Sequence, residues 1–148
     1  MGEAPSRWRT TEHTADLAIE VEACSLGELF VTAALGMVGV LLGSEEGAAK
    51  SEADHATVRR QLSLEAPDRE ALFVDWLREL LYVQNSEDLL FAGAEIEGLD
   101  ETGMVARVAF RPLGSGHFVQ RELKGVTYHD LEVTRRGEGW FARIVFDL

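Results

Sequence analysis

Two short, glycine-containing connections constrain the fold of this chain more than any other feature of its sequence. Each joins two segments in which apolar and polar residues alternate, as they do in β-strands. The first connection lies between Leu89–Glu97 and Met104–Pro112. The second lies between Val126–Arg135 and Trp140–Asp147. Because short connections join antiparallel neighbours, the second half of the chain is predicted to form two hairpins.

Two other segments have the periodicity of amphipathic helices. The first is predicted to begin at Ser25, with Glu28 three residues later in a capping-box pattern. The second is predicted to begin after Asp68, which acts as its N-cap. Their apolar stripes are Leu26, Leu29, Phe30, Ala33, Ala34, Met37, Val38 and Leu41, and Leu72, Phe73, Trp76, Leu77, Leu80 and Leu81. Since each helix has one apolar stripe, each needs a sheet or another helix to cover it.

The order of these elements indicates the fold class. Trp8–Thr11, Leu17–Ala23 and Thr57–Glu65 are also predicted to be strands. The chain thus reads as strands, helix, strand, helix and four strands, an order that favours an α+β fold. We expect a single domain, a mainly antiparallel sheet with two helices packed on one face. A chain of 148 residues is long enough to bury one such core.

Two stretches are expected to lie outside the regular elements. Residues 1–7 are predicted to be a loose N-terminal end, so that the folded domain spans residues 8–148. Residues 43–54 are small and acidic, which is typical of a surface loop.

The net charge of −12 limits the classes of partner. Phosphate contacts need an excess of Lys and Arg, so no direct nucleic-acid binding is expected. The charge suits a metal cation or a basic protein partner, although solvation alone also accounts for it. The single Cys24 excludes an internal disulfide and a cysteine-based zinc site, which favours a reduced, cytoplasmic setting. No apolar run reaches about 18 residues and the N-terminus lacks a signal peptide, so no membrane association is expected.

Carboxylates are placed at the ends of two predicted strands. Asp16 opens an apolar segment, and Asp147 with the terminal Leu148 closes the last one. If these strand ends meet, three carboxylate groups converge, an arrangement that requires a cation or a basic group between them. The alternative is that Asp147 is a solvated terminal residue and Asp16 a turn former. No local calcium-loop spacing decides between the two.

Basic and imidazole groups form a second cluster of candidates. Alternation places Lys124, Val126 and Tyr128 on one side of the strand, with His129 on the other. Lys124 and His129 could orient a carboxylate or face a partner. The alternative is that Tyr128 is core, His129 a hydrogen-bonded structural residue and Lys124 solvated. His13 is predicted to orient the carboxylates near Asp16, although imidazole keeps a zinc ligand open.

Taken together, these pieces resemble the archease family over roughly residues 8–148. The matching stretches are His13–Val21, Leu29–Met37, Leu72–Tyr82, Lys124–His129 and Phe146–Leu148. The combination is specific, although each piece alone is weak. Gly125 departs from the family pattern, in which Ala is more usual.

The resemblance implies an accessory protein and not a stand-alone enzyme. Archeases assist the GTP-dependent RNA ligase of tRNA splicing and RNA repair, promoting its guanylylation and multiple turnover and widening its nucleotide use. The family's metal site maps onto Asp16, Asp147 and Leu148, the last through a main-chain or terminal oxygen. His13, Lys124 and His129 would support this site or face the partner. Oxygen ligands favour Ca²⁺, with Mg²⁺ or Mn²⁺ as alternatives.

Two other functions remain open at this stage. One is a chaperone-like modulator of a tRNA-modifying enzyme such as a methyltransferase. The other is a metal-dependent phosphohydrolase, which would need more ligands and a positioned base than the sequence shows.

Overall fold

The computed structural model describes residues 6–12, 16–43, 58–113 and 119–148. Within these ranges the chain forms seven strands and two helices. They are β1 (Arg7–Glu12), β2 (Asp16–Ala23), α1 (Leu26–Leu42), β3 (Val58–Glu65), α2 (Arg69–Glu87), β4 (Leu89–Leu99), β5 (Gly103–Pro112), β6 (Gly125–Arg136) and β7 (Gly139–Asp147). Both predicted hairpins are present, as β4–β5 and β6–β7. Strand β1 begins at Arg7, inside the predicted loose end, and most of the predicted 43–54 loop lies outside the described residues.

The strands form two antiparallel sheets, with the helices between them. Sheet A has the order β1-β2-β7-β6, and sheet B has the order β3-β5-β4. Helix α1 contacts β1, β2 and β7 of sheet A and β4 of sheet B, while α2 contacts β6 of sheet A and β3 and β4 of sheet B. The predicted α+β class and single domain are confirmed. The strands are divided between two sheets, and each sheet carries the helices on one face.

The helices begin where the capping patterns indicated. The Ser25 side chain accepts a hydrogen bond from the Glu28 backbone N–H (3.2 Å), and Asp68 accepts one from Ala71 (2.8 Å). Both bonds satisfy amides that have no partner within the helix. Helix α1 ends at Gly43 in the left-handed conformation (φ 70°), which glycine adopts at little cost. No helix in the described part of the chain is long and apolar enough to cross a membrane.

An aromatic cluster joins the two helices at the centre of the core. The Trp76 side chain of α2 is fully buried, and its indole N–H donates to the Phe30 carbonyl of α1 at 2.8 Å. The Trp76 ring meets Phe91 of β4 edge-on, with centroids 5.8 Å apart. Phe30 meets Phe73 edge-on at 5.2 Å. These contacts link helices and sheet B through one packed unit.

One exposed ion pair connects sheet B to the end of α2. Arg60 Nη1 donates to Glu87 Oε2 at 3.0 Å. This hydrogen bond, together with the positive charge of Arg60, lowers the pKa of the Glu87 carboxyl. A carboxyl whose pKa is lowered by folding stabilises the fold above its ordinary pKa and loses that contribution as the pH falls. The pair is exposed, so its effect on stability is small.

Gly139 starts β7 at a position with no room for a side chain. A Cβ there would lie 2.6 Å from the carbonyl oxygen of Ala23 on the adjacent strand β2. Because the obstructing atom is backbone, relief requires a shift of the strand itself. We expect Gly139→Ala to lower the free energy of unfolding by about 1–3 kcal/mol, measured by urea denaturation.

Gly98→Ala is the matched control for this prediction. Gly98 lies in β4 at a register irregularity, and a Cβ there meets no atom within 4 Å. The control should change the unfolding free energy by less than about 0.5 kcal/mol. Equal losses in both variants would show that the close approach to Ala23 is not the cause.

Candidate metal centre at one end of sheet A

The pairing of β2 with β7 brings the two predicted acidic residues together. Asp16 is directly opposite Asp147 in the antiparallel register. Directly opposed residues point to the same face of a sheet, with Cβ atoms about 4.5–5.5 Å apart. Their carboxylates therefore lie side by side on the outer face of sheet A, away from the helices. That they bind a metal stays a prediction.

Other charged residues on the outer face of this strand pair form ion pairs. Four pairs further along and on the same face, Glu20 is opposite Arg143, and their side chains form an ion pair at 3.1 Å. Arg9 of β1 also binds Glu20. Among the described residues, no ion pair neutralises Asp16 or Asp147. Since like charges in direct opposition destabilise a sheet, these two positions are unfavourable unless a positive charge joins them.

The carboxylate of Asp16 has an unsatisfied oxygen. Its Oδ1 atom is buried and has no hydrogen-bond partner among the described residues. A buried acceptor without a partner is destabilising, more so when it is charged. Carboxylate oxygens are the ligands that hard divalent cations prefer. The carboxylate oxygens of Asp16 and Asp147 are therefore suited to bind a divalent cation.

The backbone of a third strand fixes the position of Asp147. Gly125 of β6 is paired with Asp147, and the Lys124 backbone N–H donates to the Asp147 carbonyl at 2.8 Å. Leu148 is partly buried and packs against the core. Anchoring its side chain holds its main-chain oxygens next to Asp147. We call this end of sheet A, where Asp16, Gly125 and Asp147 lie next to one another, the acid end.

Helix α1 runs toward the acid end. It follows β2 through a short turn, so it returns antiparallel to that strand. At its C-terminus the Leu41 carbonyl accepts the Gln120 N–H at 2.7 Å. The chain from Gln120 then reaches Lys124, which is bonded to Asp147. These contacts place the C-terminus of α1 beside the acid end.

Helix α2 has the same direction. Near its N-terminus, the Arg69 guanidinium lies over the Trp140 ring (5.0 Å), at the opposite end of sheet A. Nine residues later, Arg78 Nε donates to the Val126 carbonyl (3.0 Å), next to Gly125. Neither helix has a basic residue in its last turn. Because the partial negative charge of a helix is concentrated at its C-terminal turn, α1 adds to the negative potential at this end, whereas α2 continues for nine residues beyond Arg78.

The other predicted site residues occupy different surroundings. His13 lies outside the described residues. The Lys124 side chain is exposed, so its partner-facing role stays a prediction. His129 is exposed and its Nε2 lies 3.3 Å from Asp130 Oδ2. Within the described ranges, no three His, Cys, Asp or Glu side chains form a metal-binding group. Among the residues that the structure describes, a main-chain oxygen such as that of Leu148 is the available third ligand.

The strand containing Lys124 departs from regular alternation. The register between β6 and β7 shifts between Thr127 and Glu132, and Asp130 has a φ of 52°. As a result, Tyr128 is 50% exposed, although Val126 on the same predicted side is buried. The alternative in which Tyr128 is a core residue is wrong. A β-bulge, which periodicity does not reveal, takes this segment out of register with β7 and leaves the Tyr128 side chain half exposed.

Two residues near the acid end had no signal in the sequence pattern. Arg78 and Tyr82 both lie off the apolar stripe of α2, where exposed residues are expected. The structure places the Arg78 guanidinium over the Tyr128 ring, 5.1 Å from its centroid. The contact links residues 50 positions apart, so local periodicity could not have found it.

A separate groove lies at the other end of α1. It has a volume of about 830 Å³ and is lined by the start of α1 and by β4, including Leu26, Leu35, Ile96 and Glu28. None of the predicted site residues is among its lining residues. Groove size therefore does not identify the chemically distinctive part of this molecule, which is the acid end.

Comparison with known proteins agrees with this fold and this arrangement of motifs. Residues 8–148 match the model of the archease protein family (MTH1598/TM1083). The chain belongs to the archease family. The archease of Methanosarcina barkeri is 30% identical over 153 residues, covering 100% of both chains. That of Methanosarcina mazei is 32% identical over 149 residues, covering 96% of each.

Solved structures show the same fold. The solution structure of protein 1598 of Methanobacterium thermoautotrophicum is 28% identical, with a TM-score of 0.74, covering 95% of this chain and 98% of that one. The crystal structure of an archease of Thermotoga maritima, described as a possible chaperone, is 22% identical with a TM-score of 0.59. It covers 95% of this chain and 96% of that one. At 22% identity the likeness supports the fold only.

Proposed function

We propose that this chain is a metal-binding accessory protein that activates the GTP-dependent RNA ligase of tRNA splicing and RNA repair in the cytoplasm. It would promote guanylylation of the ligase, permit multiple turnover and broaden its nucleotide use. The observation that carries the proposal is the opposition of Asp16 and Asp147, together with the buried, unpartnered Oδ1 of Asp16. An accessory protein needs a defined chemical feature to present to its partner, and two directly opposed carboxylates without an ion-pair partner among the described residues are such a feature.

The donor set fits a hard cation. Asp16 and Asp147 supply carboxylate oxygens, and Leu148 would supply a main-chain or terminal oxygen. Oxygen-only sites favour Ca²⁺, with Mg²⁺ and Mn²⁺ as alternatives. Three protein ligands leave coordination positions for oxygens from outside, such as water or phosphate. When bound, such a cation would neutralise phosphate charge during nucleotidyl transfer.

The residues around the carboxylates have a positioning role in this proposal. The Lys124 backbone N–H and the pairing with Gly125 fix the end of β7, so the Asp147 carboxylate is held in place. Packing of Leu148 on the core fixes the last main-chain oxygens. A site held by three strands and a core contact loses little conformational freedom when it is presented to the nucleotide site of a partner.

The direct test is RNA joining by the cognate ligase under multiple-turnover conditions, with the ligase well below the RNA concentration. Adding this protein should convert a single round of joining into many rounds and increase the guanylylated fraction of the ligase. A ligase that turns over equally well without it would contradict the proposal. Recovery of a tRNA methyltransferase and no ligase in a pull-down would favour the modulator of tRNA modification.

A further inference from the structure

We infer that a surface formed by Tyr82, Arg78 and Tyr128, next to the acid end, is the docking surface for the partner protein. This rests on the proposed function, because it concerns the same partner. Among the residues that the structure describes, the large apolar side chains that stay exposed are Tyr82 (65%), Tyr128 (50%) and Val119 (37%). Exposed apolar side chains that lie together, unlike scattered ones, indicate a contact surface.

These three exposed side chains lie in one region of the molecule. Tyr128 follows Gly125 by three residues on β6, which places it about 10 Å along the strand from the residue paired with Asp147. Val119 precedes Gln120, whose N–H is bonded to the C-terminal turn of α1. Tyr82 lies on α2 beyond Arg78, which is bonded to the start of β6. All three thus lie at or near the acid end.

Arg78 contacts Tyr128 and lies one helical turn before Tyr82. Its Nε–H is bonded to the Val126 carbonyl, and its guanidinium lies over the Tyr128 ring at 5.1 Å. Tyr82 is one helical turn further on, so its side chain leans back toward Arg78. The hydrogen bond and the ring contact already restrain the guanidinium, so it loses little conformational freedom when a partner binds. Tyr and Arg are also the residue types most often dominant in protein interfaces.

The bulge in β6 exposes the surface at the edge of sheet A. Strand β6 is an edge strand, and its segment between Thr127 and Glu132 is out of register with β7. Tyr128 lies in this segment, as do His129 and Asp130, whose side chains are 3.3 Å apart. A partner could therefore approach without displacing a neighbouring strand.

Charge decides which kind of macromolecule fits. The tyrosine rings could in principle stack on nucleic-acid bases, but the net charge of −12 repels a phosphate backbone. The complementary partner is a protein surface with apolar side chains surrounded by basic residues. Basic residues are what a nucleotide site of an RNA ligase must offer to its phosphates. The surface would thus dock the ligase while Asp16 and Asp147 reach that site.

The test compares docking with stimulation in the same ligation assay. The double variant Tyr82→Ala/Tyr128→Ala should raise the half-saturating concentration of this protein by about tenfold or more, with the maximal stimulation and the affinity for Ca²⁺ retained. Tyr82→Phe/Tyr128→Phe keeps both rings and should stay within about threefold of the wild type. Arg135→Ala, whose side chain lies over Trp140 at the opposite end of sheet A, is the matched surface control and should leave stimulation unchanged.

The outcomes separate this inference from the proposed function. If the wild type stimulates the ligase and the double alanine variant has an unchanged half-saturating concentration, the docking surface is wrong and the function stands. If the wild type does not stimulate at all, the proposed function fails, and this inference with it. Direct binding of single-stranded RNA by the wild type, lost in the double alanine variant, would reassign the surface to nucleic acid. Equal losses in the Phe and Ala variants would exclude the rings as the anchoring groups.

Discussion

Asp147→Asn should abolish stimulation of the ligase and, in the absence of metal, make the protein more stable. The two effects have one cause. Asn removes the negative charge that a cation requires, and it also removes the repulsion between residues 16 and 147. We expect millimolar Ca²⁺ to raise the melting temperature of the wild type and not that of the variant, since a ligand that binds the folded state stabilises it. Thermal unfolding with and without Ca²⁺, and multiple-turnover ligation, measure the two effects.

Glu138→Gln is the matched control. Glu138 is an exposed acidic residue in the β6–β7 hairpin, at the opposite end of the same strand. Its replacement changes the net charge equally but should leave both Ca²⁺ stabilisation and ligation intact. Loss of metal-free stability in Asp147→Asn would mean that the carboxylate makes a favourable contact within the protein. The electrostatic basis of the site would then be wrong.

Trp76→Ala should have the largest effect on stability of any single substitution considered for this protein. The side chain is fully buried, donates to the Phe30 carbonyl and packs edge-on against Phe91. Removing a buried aromatic ring of this size costs about 3–5 kcal/mol. That is a large fraction of the roughly 5–15 kcal/mol that stabilises an ordinary domain. Urea denaturation at 25 °C measures the loss.

Two further variants on the same helix test whether the loss depends on the size and burial of the ring. Trp76→Phe keeps a ring but loses the N–H donor, so its loss should be smaller than that of Trp76→Ala. Tyr82→Ala truncates an aromatic ring that is 65% exposed and should change stability by less than about 0.5 kcal/mol. A similar loss in Trp76→Ala and Tyr82→Ala would show that the aromatic cluster does not hold the two helices together. The same denaturation applied to the double variant Tyr82→Ala/Tyr128→Ala verifies that the docking variant is folded.

The local elements of this fold could be predicted because their signals are local. The Ser25 and Asp68 caps form the expected hydrogen bonds with amides three residues later. The two hairpins follow from connections of a few residues. The division into two sheets has no such signal. It depends on which faces of α1 are buried, and α1 packs against both sheets. As a result, residues outside its predicted apolar stripe are buried too, namely Thr32, Gly39, Val40 and Leu42.

The candidate site was predictable only in part, because some of its contacts join residues that are distant in the sequence. Asp16 and Asp147 were identified by their positions at strand ends, but their opposition depends on a pairing between segments 131 residues apart. The bulge after Thr127 and the contact of Arg78 with Tyr128 depend on tertiary structure. The docking surface could therefore be found only from the three-dimensional structure. The acidic pair could be predicted from the sequence, on the one assumption that β2 and β7 are neighbours.

The most direct test of the central claim is a crystal structure of the protein soaked in Mn²⁺, which can replace Ca²⁺ at oxygen sites and gives an anomalous signal. We expect an anomalous peak at the acid end, about 2.0–2.6 Å from a carboxylate oxygen of Asp16 and one of Asp147. The peak should vanish in Asp16→Asn crystals. An ion bound elsewhere, or an acid end that holds only water at saturating Mn²⁺, would contradict the claim that these opposed carboxylates form a metal site.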